Sequence, residues 1–408
     1  MISLSVRQAA IRAHIPLAAS KSESNRALIM RALCGEDFEI KNLASARDTQ
    51  TLIRLLDSDA DMLDVKDAGT TMRFLTAYLC VQERDQIITG TPRMCNRPIG
   101  ILVEALRELG AGISYWKREG YPPLHIASKG KKMHGGHLVI PGNISSQFIS
   151  ALLMIGPVLP GGLQLELLGK INSRPYLEMT MALMASLGVE CRWNENIIEV
   201  PEQPYQARPL VIESDWSAAS YWYSLVALAP DAEVFLTGLR KDSMQGDSRI
   251  ASIMQNFGVK STFSSGGVLL SKYKRKPSEK LQHIDFSDTP DLAQTVAVAA
   301  GGLGIPVRMT GLETLRIKET DRILALQTEL IKFGIRMEDD GDGFVVSGQF
   351  TLSNRPVATY EDHRMAMAFA PLALLQPSLE IAEPEVVEKS YPEFWEHLAL
   401  AGIEGKEF

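Results

Sequence analysis

Basic side chains recur where the sequence predicts that helices begin. The helix macrodipole disfavours a cation there by about 0.3–1 kcal/mol, so one such start would be noise. A repeated arrangement instead predicts helix N-termini and basic side chains aimed together at an anion, and its chemistry is binding and electrostatic stabilisation of anionic groups. The starts that carry a cation are Lys21 and Arg26, Arg73 after Gly69 and Thr70, Arg97, Arg174, Lys318 and Arg322, and Arg364 after Asp362 and His363.

Each segment taken alone has a plainer interpretation. Residues 318–322 fit a solvated helix face, and Asp362 fits an N-cap with exposed neighbours. Asp291 fits a capping box with Asp288, and residues 145–147 fit an ordinary capping group. Only the joint pattern favours an anion site.

Composition limits the classes of function. The 408 residues carry a net charge of −7, which argues against nucleic acid as a partner, so any cationic site must be local. The apolar runs are too short to span a bilayer, and the N-terminus lacks a signal peptide's apolar region. Four cysteines without a CxxC motif favour a reduced compartment. We therefore expect a cytoplasmic protein without a membrane partner.

The elements that must position these side chains form a repeating series. Four helical patterns end in glycine before strand-like sequence, at residues 97–110, 174–188, 247–258 and 318–334. Shorter apolar helices begin near Ser24, Thr70, Ser145, Ser217, Pro290 and Asp362. About six units of about 65–70 residues, each mixing helices and strands, predict an α/β or α+β repeat architecture.

Taken in order, these segments resemble the EPSP synthases (3-phosphoshikimate 1-carboxyvinyltransferases) of the enolpyruvyl transferase family. The matching stretches include KSESNRALIM, DAGTTMRFL, SSQFISALLM, SRPYLEMT, SMQGD, RIKETDR and EDHRMAMA. The resemblance implies a two-lobed, inside-out α/β barrel, with three βαβαββ repeats around a pseudo-threefold axis in each lobe. Residues 20–213 would form the lobe with most shikimate 3-phosphate contacts. Residues 1–19 and 214–408 would form the other lobe, with the catalytic carboxylates and part of the phosphoenolpyruvate site.

The implied reaction transfers the enolpyruvyl group of phosphoenolpyruvate to the 5-hydroxyl of shikimate 3-phosphate, by addition and elimination of phosphate. It serves the shikimate pathway of aromatic amino acid biosynthesis. It needs cations for three anionic groups, an acid for carbon and a base for the hydroxyl. No metal or organic cofactor is implied, and the expected partners are the two small-molecule substrates of a monomeric enzyme. The lobes are expected to close when shikimate 3-phosphate binds.

Matching motifs assign the expected site residues. The set expected to hold phosphoenolpyruvate is Lys21, Gly69, Thr70, Arg97, Gln147, Arg322, Arg364 and Lys389. The set expected to hold shikimate 3-phosphate is Lys21, Ser22, Arg26, Ser145, Ser146, Gln147, Ser173, Tyr176, Asp291 and Lys318. The resemblance implies proton transfer by Asp291 at the hydroxyl, by Glu319 at the methylene carbon, and by Lys21 and Lys389 at the leaving phosphate. Arg73 would support the loop at Gly69.

Two residues depart from the family pattern. Asp67 stands where the family usually has Asn, and its side chain either turns away or pairs with Arg73. Thr314 replaces an Asn that lies near the shikimate ring in relatives. Gly69 leaves room beside Thr70, so the phosphoenolpyruvate pocket is expected to admit the inhibitor glyphosate.

Three other functions fit parts of the sequence. The sister enzyme that transfers enolpyruvate to UDP-N-acetylglucosamine uses a cysteine in a glycine-rich loop. Here Cys95 lies two residues before Arg97 without such a loop. A non-catalytic anion-binding relative would lack proton-transfer groups, whereas all four expected groups are present. An interaction protein built as a solenoid of repeats is disfavoured by the discontinuous lobes and the cations expected in their cleft.

Overall fold

The computed structural model describes residues 1–7, 10–82, 84–273 and 281–408. The chain divides into two compact units: unit 1 is Met1–Ala18 with Glu213–Phe408, and unit 2 is Ala19–Ile212. Unit 1 is therefore discontinuous, because the chain leaves it, builds all of unit 2 and returns. Both divisions fall one residue before the boundaries expected from the sequence.

Unit 1 begins with two strands, and unit 2 follows with alternating helices and strands. The strands are β1 (Ile2–Val6) and β2 (Ala10–Ile15). The elements of unit 2 are α1 (Lys21–Cys34), β3 (Ile40–Lys41), α2 (Arg47–Leu56), β4 (Met62–Asp64), α3 (Gly69–Val81), β5 (Asp85–Thr89), α4 (Gly100–Glu108), β6 (Ile113–Tyr115), β7 (Leu124–Ala127), β8 (Gly136–Pro141), α5 (Ser146–Ile155), β9 (Leu163–Leu168), α6 (Arg174–Ser186), β10 (Arg192–Asn194), β11 (Ile197–Val200) and β12 (Leu210–Val211).

The chain then completes unit 1. Its elements are α7 (Trp216–Leu228), β13 (Asp231–Thr237), α8 (Ile250–Gln255), β14 (Val259–Ser264), β15 (Gly267–Lys272), β16 (Gln282–Asp285), α9 (Ala293–Leu303), β17 (Val307–Thr310), α10 (Arg322–Leu330), β18 (Ile335–Asp339), β19 (Phe344–Gly348), α11 (His363–Phe369), β20 (Leu379–Ile381), α12 (Phe394–Leu400) and β21 (Ile403–Glu407). The 3-10 turns that matter below are Met94–Asn96, Gly246–Arg249, Pro290–Leu292, Glu313–Ile317 and Pro384–Lys389.

Among the described strands, four sheets share one pattern, in which a parallel pair is extended on one side by an antiparallel hairpin. The strand orders are β4-β5-β7-β6 and β8-β9-β11-β10 in unit 2, and β2-β13-β15-β14 and β16-β17-β19-β18 in unit 1. A parallel pair needs a crossover connection, and helices such as α3, α5 and α9 supply it. The mixed helix and strand content expected from the sequence is confirmed.

Several helices of both units are deeply buried. In α7 every residue except Ser217 is buried, and α9 is buried from Ala293 to Gly301. These two helices pack against each other in unit 1, and α3 packs against α5 in unit 2. A helix surrounded on most sides offers mainly its ends to ligands, so chemistry concentrates at its first residues. No helix in the described ranges is long and apolar enough to cross a membrane.

Two helices begin later than the sequence predicts. The helix predicted from Arg97 begins at Gly100, because the turn Met94–Asn96 and an extended Arg97 precede it. The helix predicted from Lys318 begins at Arg322, where Asp321 accepts hydrogen bonds from the first backbone N–H groups. Lys318 therefore lies before the helix that it was predicted to begin. The helix predicted from Arg174 does begin there.

Candidate functional site

In unit 2 the beginnings of four helices come together. Lys21 Nζ lies 3.1 Å from Asp48 Oδ2, which joins α1 to α2. Thr71 Oγ1 donates to the Asp48 carbonyl at 3.2 Å and joins α2 to α3. Gln147 Nε2 donates to Thr70 Oγ1 at 3.3 Å and joins α3 to α5. The positive ends of these helix dipoles therefore lie in one region with the Lys21 ammonium.

Arg97 lies directly against Gly69. A Cβ atom added at Gly69 would stand 2.8 Å from Arg97 Nη1, closer than real Cβ atoms come. Arg73 holds this arrangement, because Nη1 donates to the Gly69 carbonyl and Nη2 to the Pro98 carbonyl, both at 3.2 Å. Glycine thus permits the close approach of the guanidinium, and Arg73 contacts the loop as the sequence anticipated.

Arg26 is buried and ties three helices together. Its Nε donates to Thr180 Oγ1 at 2.7 Å, its Nη2 to Ser150 Oγ at 3.1 Å and its Nη1 to the Ser22 carbonyl at 2.9 Å. Burial lowers the pKa of Arg26 to about 10, although Tyr176 and Glu23 oppose the shift. The side chain stays charged at neutral pH and is satisfied by neutral partners.

The other expected shikimate 3-phosphate residues of unit 2 stand at the starts of α5 and α6. Ser145 caps α5 by accepting from the Gln147 N–H at 3.4 Å, and Ser146 is the first helical residue. Ser173 precedes α6 with a φ of 55°, and Tyr176 lies in the first turn. Left-handed backbone at a non-glycine residue is costly and concentrates at functional sites. The capping role of Ser145 is observed, whereas Ser146 and Ser173 do not serve as side-chain caps.

The two departures from the family pattern have different surroundings. Asp67 Oδ2 lies 3.4 Å from Nη2 of Arg47, the first residue of α2, a partner that the sequence did not suggest. Both side chains of this pair are partly exposed. Thr314 belongs to the turn Glu313–Ile317, and its Oγ1 is buried without a hydrogen-bond partner among the described residues.

In unit 1, Arg322 is the centre of a buried ion-pair cluster. Its Nε donates to Asp362 Oδ2 at 2.7 Å, its Nη1 to Asp291 Oδ1 at 3.0 Å and its Nη2 to Glu319 Oε2 at 2.9 Å. Only 2% of the Arg322 side chain is exposed. Burial works against the charge, but the carboxylates, with Asp362 the strongest, raise the pKa of Arg322 above its ordinary value. Three acids therefore fix one guanidinium.

Asp291 links this cluster to two further cations. Its Oδ2 accepts from Arg364 Nη2 at 2.9 Å, and Lys318 Nζ lies 3.7 Å from its Oδ1. Burial alone would raise the pKa of Asp291, but Arg364, Lys318 and Arg322 together hold it well below the usual carboxyl range. Both carboxylate oxygens contact cations, which favours the functional interpretation of Asp291 over the capping box.

Lys318 and Glu319 lie in the connection before α10. The sequence placed them at a helix start, and that placement is wrong, because the turn Glu313–Ile317 ends before them and α10 begins after them. Burial lowers the pKa of Lys318, Arg322 and Arg364 lower it further, and Asp291 and Glu319 oppose them. An ammonium group with a lowered pKa gives up its proton more readily than a solvated lysine.

Three polar contacts around Arg364 and Arg322 escaped the sequence analysis. Arg364 Nη2 donates to Ser217 Oγ at 3.4 Å, and Ser217 Oγ in turn donates to Asp247. Burial, with the Asp291 charge, raises the pKa of Asp247 to about 6, while Arg364 opposes the shift. Asp362 caps α11 as predicted, but its ion pair with Arg322 was not foreseen. The motif SMQGD was the only signal for Asp247, and nothing linked it to Arg364.

Lys389 is the last residue of the turn Pro384–Lys389 and is 1% exposed. The expected residues thus fall into two groups. Those in unit 2 are Lys21, Ser22, Arg26, Gly69, Thr70, Arg97, Ser145, Ser146, Gln147, Ser173 and Tyr176. Those in unit 1 are Asp291, Lys318, Glu319, Arg322, Arg364 and Lys389, of which all but Lys389 contact Asp291 or Arg322 directly.

Comparison with known proteins points to one family. The family model for EPSP synthase (3-phosphoshikimate 1-carboxyvinyltransferase) matches residues 53–398. A protein of Bacteroides fragilis named 3-phosphoshikimate 1-carboxyvinyltransferase is 50% identical over 397 residues, covering 96% of each chain. A protein of the same name from Sulfurovum is 36% identical over 418 residues, covering 95% of this chain and 96% of its own. A solved structure of an EPSP synthase from Acinetobacter baumannii covers 100% of both chains with a TM-score of 0.78 at 21% identity, a likeness of fold.

Proposed function

The chain belongs to the EPSP synthase (3-phosphoshikimate 1-carboxyvinyltransferase) family, and from that premise we propose which of its side chains carry out the reaction. The resemblance seen in the sequence is confirmed. The protein is an enzyme that transfers the enolpyruvyl group of phosphoenolpyruvate to the 5-hydroxyl of shikimate 3-phosphate and releases phosphate. The sister reaction on UDP-N-acetylglucosamine is not favoured, since the family match and both named relatives point to the shikimate substrate.

The observation that carries the assignment of roles is the cluster of Asp291, Arg322 and Arg364. It places a carboxylate that is ionised at neutral pH between two guanidinium groups, each of which is buried. A phosphoenolpyruvate carboxylate suits such guanidinium groups, because they recognise a planar anion with paired hydrogen bonds. We therefore assign the carboxylate of phosphoenolpyruvate to Arg322 and Arg364.

The phosphate of phosphoenolpyruvate takes the remaining cations of its set. Lys21, Arg97 and Lys389 neutralise it, and Gly69, Thr70 and Gln147 form the neighbouring surface at the starts of α3 and α5. The close approach of Arg97 to Gly69 supports this assignment, since it presents a guanidinium beside helix N–H groups that also attract phosphate. Positive charge here stabilises the leaving phosphate as the tetrahedral intermediate collapses.

Shikimate 3-phosphate is assigned mainly to unit 2. Ser145, Ser146 and Ser173 bring hydroxyl groups at the starts of α5 and α6, and Gln147 adds an amide. The remaining contacts are assigned to Lys21, Ser22, Arg26, Tyr176, Asp291 and Lys318. Because Arg26 is held by Thr180 and Ser150, its part is to order the region and to add positive charge at short range.

Asp291 acts as the base that takes the proton of the 5-hydroxyl as it attacks C2 of phosphoenolpyruvate. In the ligand-free protein three cations make this carboxylate a weak base. A bound carboxylate shares Arg322 and Arg364 and so partly neutralises them, which raises the pKa of Asp291 towards a useful value. Substrate binding itself thus prepares the base.

Glu319 transfers a proton to the methylene carbon in the addition step and takes one back in the elimination. Its contact with Arg322 at 2.9 Å fixes the carboxylate beside the guanidinium assigned to the substrate. Lys21 and Lys389 serve the proton transfers of the leaving phosphate. The bonds balance, since one C–O bond forms at C2 and the C–O bond to phosphate breaks, with no net gain or loss of protons on the enzyme.

The finer architecture is also a proposal. The four sheets with one shared pattern support an inside-out barrel of three βαβαββ repeats in each lobe, two of which have the complete pattern in each unit. We further propose a monomer that works in the cytoplasm, without nucleic acid or membrane partners. Sedimentation of the purified protein at several concentrations would test the monomer.

Phosphate release from phosphoenolpyruvate and shikimate 3-phosphate is the decisive assay. We expect release that needs both substrates and a product carrying the enolpyruvyl ether, identified by mass spectrometry. Replacing shikimate 3-phosphate by UDP-N-acetylglucosamine tests the sister reaction in the same assay. Binding of both substrates without phosphate release would establish the non-catalytic alternative and overturn the assignment.

A further inference from the structure

Tyr391 lies two residues after Lys389 and is completely buried. Trp222 Nε1 donates to Tyr391 Oη at 3.3 Å, and the same oxygen lies 2.7 Å from His397 Nδ1. Burial raises the pKa of Tyr391 far above its ordinary value, so the phenol keeps its proton and donates it to the imidazole. Burial lowers the pKa of His397, which favours the neutral ring that can accept. The phenol is therefore held from both sides.

The residue beside Trp222 contacts another part of the site. Arg364 Nη1 donates to Tyr221 Oη at 3.4 Å. Phe394 packs edge-on against Tyr221, with ring centroids 5.9 Å apart, and edge-on against Tyr391 at 5.5 Å. We use the name aromatic brace for the buried residues Tyr221, Trp222, Tyr391, Phe394 and His397.

Two neighbouring residues of α7 thus contact two elements whose cations are assigned to phosphoenolpyruvate. Tyr221 touches the Arg364 guanidinium directly, and Trp222 donates to the phenol of Tyr391, two residues after Lys389. Lys389 ends a short 3-10 turn, and the segment beyond it is tied back by the Tyr391 N–H, which donates to the Val387 carbonyl at 2.8 Å. A short turn of this kind holds the direction of a side chain less firmly than a long packed helix does.

We propose that the aromatic brace sets the separation of Arg364 and Lys389, with Trp222 and Tyr391 as positioning residues for phosphoenolpyruvate. The proposal rests on the proposed function, because it takes these two cations as ligands of that substrate. Binding groups must be held within about 0.5 Å of their productive positions, which directional hydrogen bonds and fixed aromatic rings can do. The serines and Gln147 assigned to shikimate 3-phosphate belong to the other unit.

The test is a comparison of two buried tyrosines. Tyr391→Phe removes only the phenol oxygen of the brace. Tyr223→Phe is the matched control, because Tyr223 is also buried, follows Trp222 on α7 and shares a hydrogen bond of 2.8 Å with Ser261 outside the brace. We expect Tyr391→Phe to raise KM for phosphoenolpyruvate about fivefold, the scale of one lost hydrogen bond, with KM for shikimate 3-phosphate unchanged. The control should leave both constants unchanged.

The double variant Tyr221→Phe/Tyr391→Phe tests whether the residues of the aromatic brace act as one coupled network. We expect its effect on phosphoenolpyruvate to differ from the product of the single effects, as it does for residues that share a network. If Tyr391→Phe does not fold, Trp222→Phe takes its place with the same expected result, because it removes one of the two hydrogen bonds of the phenol. Equal changes in both Michaelis constants, or equal effects of Tyr391→Phe and Tyr223→Phe, would mean that the residues of the aromatic brace only pack the core. The proposal would then be wrong. Wild-type protein without phosphate release would instead refute the proposed function.

Discussion

The two units hold their cations in different ways. In unit 1, Arg322 contacts three buried or nearly buried carboxylates, and Arg364 contacts one of them. In unit 2, the contacts of Arg26 are two hydroxyls and a carbonyl, and Arg73 donates to two carbonyls. Arg322 is therefore balanced by acids of its own unit, whereas Arg26 is surrounded by uncharged hydrogen-bonding groups.

The two arrangements suit two different functions. Where dipoles surround a guanidinium, an arriving anion supplies the missing charge, and binding is its main effect. Where carboxylates already occupy the guanidinium groups, an arriving anion must share them, which changes the basicity of those carboxylates. Unit 2 is thus suited to holding substrates, and unit 1 to coupling substrate binding to proton transfer.

The largest effect is expected from the acids of unit 1. Asp291→Asn or Glu319→Gln should lower turnover by at least about 10²-fold, the usual scale for lost acid–base help, while both substrates still bind. The shapes of the side chains are kept, so binding measured by calorimetry separates lost chemistry from lost structure. A variant that turns over at the wild-type rate would remove its residue from the mechanism.

The next largest effect is expected on the free energy of unfolding when Asp362 is replaced. This carboxylate is fully buried against Arg322, and removing one partner of a buried ion pair costs about 3–5 kcal/mol of unfolding free energy. Asp362→Asn keeps an oxygen that can cap α11, so the loss of unfolding free energy measures the contribution of the charge. Urea unfolding measures it, and a change below about 1 kcal/mol would mean that the other acids of the cluster suffice.

At Asp247 a buried charge should instead destabilise the protein, because this acid is buried near another acid, Asp291. Its pKa rises from 3.8 to about 6, so the native state binds more protons than the unfolded state between these values. The unfolding free energy of the wild type should therefore fall relative to Asp247→Asn as pH rises from about 4 to 6, by up to about 3 kcal/mol. Above that range the variant should be the more stable protein. Parallel pH profiles of the two proteins would contradict the shift.

Much of this fold could be predicted, because helix starts have local signals. Asp362 and Ser145 precede apolar helical patterns and do cap α11 and α5. Lys318 was misplaced because its surroundings also suit a helix, whereas the observed α10 begins after Lys318, at the N-cap Asp321. Two neighbouring residues can thus both fit a helix start, and the sequence pattern does not decide between them.

The partners of the site residues were the least predictable part. Asp48 with Lys21 and Asp247 with Ser217 are pairs separated by tens of residues, and no spacing rule links them. The resemblance named residues expected to touch ligands but was silent on the residues that hold them in place. These supporting contacts depend on how buried helices pack, which the pattern of apolar residues constrains only coarsely.

A smaller effect is expected at Gly69 in unit 2. The added methyl of Gly69→Ala would stand 2.8 Å from Arg97 Nη1 and push the flexible guanidinium aside. We expect KM for phosphoenolpyruvate to rise about tenfold, equivalent to about 1.4 kcal/mol, and the inhibition by glyphosate that we expect of the wild type to weaken. Gly266→Ala is the control, because its new methyl would meet only Phe235 at an ordinary 3.7 Å. A wild type that millimolar glyphosate leaves uninhibited would refute the expected sensitivity.

The smallest effect is expected where an ion pair of unit 2 is partly exposed. Asp67 and Arg47 are 31% and 43% exposed, and such pairs contribute about 0–1 kcal/mol. Asp67→Asn makes the same chemical change as Asp362→Asn, so the two variants compare the units directly. We expect a loss of stability below about 1 kcal/mol that disappears in concentrated salt, because salt screens exposed charges and buried ones much less. A loss as large as that of Asp362→Asn would mean that unit 2 also depends on balancing its cations with acids, and the contrast between the units would fail.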